Sequence, residues 1–139
     1  MENVLKFCVW GKPQPKQSAR FSKFGAYQPA KVTNYAHWVR LCFKEKYSSD
    51  VRFPANMPLI IKIRAYLPIP QSKSKKFKDQ AEKGLIRPIT KPDTDNIAKN
   101  IKDALNGFAY YDDRQIVTEQ IEKWYSADPR VEIIIEGDY

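Results

Sequence analysis

Between Pro58 and Pro68 the side chains alternate, with Leu59, Ile61, Ile63 and Ala65 on one side and Ile60, Lys62, Arg64 and Tyr66 on the other. A period of two over this length marks a strand, and the prolines bound it because they cannot donate into a ladder. One face is apolar and the other mixed, so the strand belongs to a sheet that must be covered on one side. Further strands are predicted at Val4 to Trp10, ended by Gly11, at Gln115 to Tyr125 and at Val131 to Glu136, with a turn at Asp128-Pro129 between the last two.

Helices supply the cover. Thr33 to Tyr47 reads as an amphipathic helix with Thr33 as its N-cap, Tyr35, Trp38, Val39, Leu41, Cys42 and Phe43 as its apolar bulk, and Ser48-Ser49-Asp50 as its end. A second helix runs from Asp93 or Thr94 to about Asn106, where Asn106-Gly107 supplies the stop. At about 100° per residue, Ile97, Ile101, Ala104 and Leu105 share one arc, and Asp95, Lys99, Asp103 and Asn106 lie opposite. The order β, α, β, α, β, β predicts an α+β fold, a single domain of 139 residues with a mixed sheet packed by helices.

The remaining segments are basic or punctuating. Gly11 to Arg20 carries Lys12, Lys16 and Arg20 among prolines and reads as a loop crossing the surface, followed by Phe21, Phe24 and Tyr27. Ser72 to Lys83 places Lys73, Lys75, Lys76, Lys78 and Lys83 around Phe77, which suits a short solvated helix or basic lobe ended by Gly84. Cys8 and Cys42 lie far apart and outside any Cys-x-x-Cys pair, so they read as two buried free thiols and not as zinc or redox groups. His37, the only histidine, cannot assemble a histidine-based metal set and is expected to be structural. No apolar stretch approaches the roughly 20 residues of a membrane helix, and no signal-peptide layout opens the chain, so the expectation is a cytoplasmic protein with no membrane contact. No organic cofactor is expected.

Charge is unevenly placed. Residues 1–92 hold nineteen Lys and Arg against five Asp and Glu, a net of +14, whereas residues 93–139 hold five against eleven, a net of −6. A basic surface draws polyanions, yet acids beside it repel the same phosphates unless cations neutralise them. Mg²⁺ resolves the conflict by bridging carboxylates and phosphate oxygens. The acids concentrate at Asp93 and Asp95, then Asp103, then Asp112-Asp113. If Thr94 begins the helix, Asp93 and Asp95 flank its first turn and Asp113 arrives from the start of the next strand, so three carboxylates converge from two elements. Lys99, one turn beyond Asp95, is placed to orient an attacking water or to stabilise charge growing on a phosphate. Asp103 would pair with Lys99 or join the metal shell. Taken singly, each feature has a plainer reading as a helix N-terminus, an i,i+4 pair or a turn. Their co-occurrence points to phosphodiester chemistry.

The motifs Pro92-Asp93-Thr94-Asp95-Asn96, Lys99, Asp103-Ala104-Leu105-Asn106-Gly107 and Asp112-Asp113-Arg114-Gln115-Ile116-Val117 resemble the RusA family of Holliday-junction resolvases, often carried by phages and prophages. The opening Gly11-Lys12-Pro13-Gln14-Pro15-Lys16 is similar to that family's N-terminal loop, so the matches span most of the chain. The resemblance implies a homodimeric endonuclease, dependent on Mg²⁺ with Mn²⁺ as a substitute, that binds four-way DNA junctions and places paired nicks in opposing strands during recombination and repair. Carried over by position, Asp93, Asp95 and Asp113 match the metal-binding carboxylates and Lys99 the catalytic lysine, while Asp112 and Asp103 stay open as ligands or supporting groups.

Two identical sites on a two-fold dimer would suit two symmetric cuts. Lys12, Lys16, Arg20, Lys73, Lys75, Lys76 and Lys78 are the expected phosphate contacts, which makes binding salt-dependent and largely independent of base sequence. Phe21, Phe24 or Tyr27 are candidates to stack at the junction centre, against a plainer role in the core. Two other functions stay open: a non-catalytic DNA-binding accessory protein of phage recombination, and a Mg²⁺ nuclease acting on other branched nucleic acids.

Overall fold

The computed structural model describes residues 3–14, 20–22, 25–27, 30–48 and 51–138. In chain order its elements are β1 (Val4–Trp10), β2 (Arg20–Ser22), β3 (Gly25–Tyr27), α1 (Ala30–Lys46), β4 (Leu59–Pro68), α2 (Lys75–Glu82), α3 (Thr94–Leu105), a 3₁₀ turn at Asp113–Gln115, β5 (Ile116–Ser126) and β6 (Arg130–Gly137). The alternating segment is β4, and it lies inside a four-stranded sheet ordered β1-β6-β4-β5. Pairing is antiparallel for β1 with β6 and β6 with β4, and parallel for β4 with β5, so the sheet is mixed as expected.

Alternation decides which face is covered. Leu59, Ile61, Ile63, Ala65 and Leu67 of β4 are all buried, as are Leu5, Phe7 and Val9 of β1 and Val131, Ile133 and Ile135 of β6. Against them pack Tyr35, Val39 and Phe43 of α1 and Ile97, Ile101, Ala104 and Leu105 of α3. Phe7 and Phe43 meet edge to face with ring centroids 5.4 Å apart. Each aliphatic side chain so buried stabilises the fold by about 1.5–3 kcal/mol before entropy is counted. The opposite face keeps its mixed character through ion pairs, Lys62 to Glu136 at 3.0 Å and Arg64 to Glu122 at 3.1 Å.

Parallel strands cannot be joined by a hairpin, so the chain must cross from the end of β4 to the start of β5. That crossover contains α2 and α3, and it carries every acid singled out above. Ser74 starts α2, its hydroxyl accepting from the Phe77 amide at 3.1 Å. Gly84 ends it at φ +77, a conformation that favours glycine, and the Trp124 ring stands 3.3 Å from where a Cβ would project, so a side chain there would also be crowded.

Several expectations need correction. Helix α1 begins at Ala30, so Thr33 lies inside the helix and is not its N-cap; nothing in Ala30-Lys31-Val32 breaks a helix. The β2-β3 hairpin, pairing Arg20 with Tyr27 and Ser22 with Gly25, has no counterpart among the predicted strands, because three-residue strands are too short to show alternation. Cys8 and Cys42 are free but only partly buried, and burial raises the pKa of both thiols. His37 is exposed on α1. Among the described residues no helix is long and apolar enough to cross a membrane.

Candidate functional site

Helix α3 sorts its residues as the helical wheel requires. Ile97, Ile101, Ala104 and Leu105 are buried, Asp95, Lys99 and Asn106 are exposed, and Asp103 is half-buried. Asp93 is the N-cap residue by backbone conformation, yet its side chain makes no capping hydrogen bond. Its exposed carboxylate and that of Asp95 therefore stand at the start of the helix, where the macrodipole favours negative charge. Two turns, about 12 Å of axial rise, separate Asp95 from Asp103.

The other end of α3 is built by polar groups that close its last carbonyls. Arg40 Nε donates to Ala104 O at 2.8 Å, the buried Tyr110 hydroxyl donates to Lys102 O at 2.6 Å, and Arg52 donates to Gly107 O at 3.0 Å. Gly107, at φ +83, lets the chain reverse, and its amide donates to Tyr110 O at 2.9 Å. The return delivers Asp112 and Asp113 beside Asp103. Asp112 caps the 3₁₀ turn, accepting from the Arg114 amide at 3.0 Å, and Gln115 reciprocates by accepting from the amides of Tyr111 at 2.9 Å and Asp112 at 3.1 Å.

Electrostatics mark Asp113 out. Its carboxyl is pushed above the usual carboxylate range by burial first, then by the negative charges of Asp103 and Asp112 and a hydrogen bond with Asp112, against a weaker opposing pull from Lys102. Lys102 is drawn partly away, pairing with Glu119 at 2.8 Å. Tyr110 beneath the cluster is raised far above its ordinary value by burial and by the same three acids, so it stays a protonated donor.

The structure thus brings together Asp103, Asp112 and Asp113, and places Asp93, Asp95 and Lys99 toward the start of the same helix. Among the described residues no group of three or more His, Cys, Asp or Glu side chains encloses a metal position. The donor chemistry still fits Mg²⁺, which takes oxygen ligands and is ordinarily held by one or two carboxylates, the remaining positions filled by water and substrate phosphate. Mutual repulsion at Asp113 is the condition a divalent cation relieves.

Of the expected basic contacts, Lys12, Lys73, Lys75 and Lys76 are exposed and Lys78 is half-buried. The loop bearing Lys12 is drawn against α3, where buried Asn100 donates to Gln14 O at 2.9 Å. Helix α2 is fixed to β5 by Phe77, edge-on to Tyr125 at 5.9 Å, and to the turn after it by Glu82, which accepts from the Ala127 amide at 2.7 Å. Lys16, Phe24 and the side chains of Arg20, Phe21 and Tyr27 lie outside the described residues.

Sequence reasoning missed the groups that hold the site in place. Gln115 is buried and also donates to Pro54 O at 2.8 Å and Met57 O at 3.1 Å. The spacing Asp112-x-x-Gln115 is a capping-box pattern and could have signalled it. Asn100 and Lys123 carried no such signal, since their partners are distant backbone carbonyls.

The frame is thus an α+β domain: a mixed sheet with α1 and α3 packed on one face, acids along the crossover and lysines on the element before it. The family model described as Endodeoxyribonuclease RusA matches residues 11–136, and the chain belongs to that family. Membership places it among endonucleases of DNA. It is also 40% identical over 139 residues, covering 96% of each chain, to the uncharacterized protein YqaN of Bacillus subtilis (strain 168).

Proposed function

We propose that this protein is a Mg²⁺-dependent, homodimeric endonuclease that resolves four-way DNA junctions by paired nicks in opposing strands, acting in the cytoplasm in recombination and repair. The observation that carries the reading is the match of the Endodeoxyribonuclease RusA family model over residues 11–136; the acids Asp103, Asp112 and Asp113, gathered on a firmly held turn within an otherwise basic chain, support it. By position in the family motif Asp93, Asp95 and Asp113 are the carboxylates proposed to meet metal. Asp93 and Asp95 stand at the start of α3 and Asp113 beside Asp103 about two turns on, so in the single chain they form two carboxylate groups and not one closed shell. Asp112, committed to capping its own turn, would support Asp113. Asp103 adds charge to the same group. Mn²⁺ would substitute through the same oxygen ligands.

Mg²⁺, when bound, neutralises carboxylates and phosphate oxygens together and lowers the pKa of a bound water. Lys99, exposed on the acidic face of α3, orients the attacking water or stabilises the charge that grows on the phosphate. Lys12, Lys73, Lys75, Lys76 and Lys78, with Lys16 and Arg20, track the DNA backbone. Two such sites related by a two-fold axis match two symmetric cuts. No organic cofactor takes part.

The test is incubation with a synthetic four-way junction, a fork and a linear duplex, with and without Mg²⁺, beside Asp95→Asn. Paired nicks confined to the junction, requiring the metal and abolished in a variant that still binds, are expected. Nicking that survives Asp95→Asn removes the assigned site; junction binding with no nicking under any metal points to a non-catalytic accessory protein, and preferential cutting of forks to another branched substrate.

A further inference from the structure

Ile89 is 96% exposed, the most solvent-facing large apolar side chain among the described residues, and Leu85 of the same segment is 71% exposed. A scattered surface aliphatic residue ordinarily needs no explanation. What sets Ile89 apart is the fastened backbone that presents it. From Gly84 to Pro92 the chain is strapped to β5, the strand at the end of the sheet. Arg87 Nε donates to Lys123 O at 3.0 Å and the Arg87 guanidinium stacks on the Trp124 ring at 3.8 Å, while Leu85 N donates back to Gln80 O of α2 at 2.9 Å. Beyond Ile89, Lys123 Nζ donates to Thr90 O at 2.7 Å and Pro92 O at 3.0 Å. Pro88, immediately before it, is buried. The strap is therefore fixed on both sides of Ile89, and Pro92 leads straight into Asp93.

We infer that Ile89 is a wedge that enters the base stack at the branch point of the DNA and positions the adjoining strand over the α3 carboxylates; this rests on the nuclease reading above. Apolar side chains of this kind separate base steps in other DNA-binding proteins, and the energy of unstacking is least where bases are already unpaired or strained. Ile89 suits the task because its β-branched side chain is stiff and loses little freedom on insertion. Its setting favours DNA over a protein partner. The exposed residues next to it along the strap are Arg87, Thr90 and Lys91, and the other exposed aliphatic residue, Leu85, lies four positions earlier with Arg87 between them. An aliphatic tip flanked by Arg87 and Lys91 matches apolar base faces flanked by phosphates. A wedge also gives a reason to prefer a junction over a duplex, since only the junction offers an open centre.

The experiment uses a four-way junction carrying 2-aminopurine at the branch point. Bound to Asp95→Asn, the probe is expected to brighten as its base unstacks, and Asp95→Asn combined with Ile89→Ala is expected to leave it dark. Ile89→Ala alone should nick the junction about tenfold more slowly. Ile89→Leu should restore most of that loss. Melting temperature and affinity for linear duplex should stay unchanged, because the exposed side chain supports no packing. Equal brightening with and without Ile89, no brightening with Asp95→Asn, or loss of the dimer on Ile89→Ala each overturns the wedge. A wild-type protein that brightens the probe through Ile89 yet never nicks overturns the nuclease reading and leaves the wedge standing.

Discussion

Gln115 and Asp112 cap each other across the single turn that carries Asp113: Gln115 Oε1 accepts from the Asp112 amide at 3.1 Å while Asp112 closes the turn through the Arg114 amide at 3.0 Å. The same Gln115 amide group reaches across to Pro54 and Met57, so Asp113 is held by a frame anchored about sixty residues away in sequence, with separations of 61 and 58.

Gln115→Ala is therefore expected to destabilise the fold by about 1–3 kcal/mol, since it removes a buried side chain and leaves partly buried amides and carbonyls without it. It should also weaken Mg²⁺ binding, because Asp113 loses its support. Denaturant melts and calorimetric titration measure the two effects. A variant with unaltered stability would show that the frame is not set by Gln115.

The raised carboxyl of Asp113 makes a pH prediction with a definite sign. The folded chain keeps this proton to higher pH than the unfolded chain does, so the group contributes stability in acid that is lost as pH rises from the ordinary carboxylate range through the raised folded value. Glu122 runs the other way. Its carboxyl is lowered, chiefly by the Trp124 indole donating at 3.1 Å, so its contribution is present above the ordinary carboxylate range and lost as pH falls through the folded value. Asp113→Asn should remove the first trend, leave the second, and raise the melting temperature at neutral pH. Melting temperatures across acid and neutral pH decide it; an unchanged profile would mean that Asp113 is not under repulsion.

Divalent metal should stabilise the wild-type protein by mass action, by about 2.7 kcal/mol at a hundred times its dissociation constant. Chelation should reverse this. Asp113→Asn and Asp95→Asn should each blunt the shift, and a shift that persists in both would place the metal elsewhere.

Replacing Lys75 and Lys76 together by alanine should weaken binding to all DNA sequences alike and reduce the salt slope by about one for every phosphate that is no longer neutralised. Filter binding across a salt series measures it. No change in slope would return these lysines to ordinary solvated surface.

Much of this was legible from side-chain periodicity. Strand β4 declared itself because Leu59 through Leu67 is buried at every second position, and α3 because Ile97, Ile101, Ala104 and Leu105 are one buried stripe. The hairpin was hidden, since Arg20–Ser22 and Gly25–Tyr27 are each only three residues long. For the site, residue types were readable but not which acids meet. Asp113 comes to rest beside Asp103 and Asp112 because Tyr110 ties the return to Lys102 and Gln115 ties it to Pro54 and Met57. Those bonds depend on tertiary placement that spacing alone does not encode.

Because β4 and β5 run parallel, α3 is the bridge between them and has no free end. A helix on a hairpin could fray while its sheet stayed closed; this one is pinned at Asp93 by the strap on β5 and at Tyr110 by the return into β5. The amides of α3 and β5 should thus exchange with solvent as one cooperative unit, so the acids hold their spacing until the edge of the sheet itself opens.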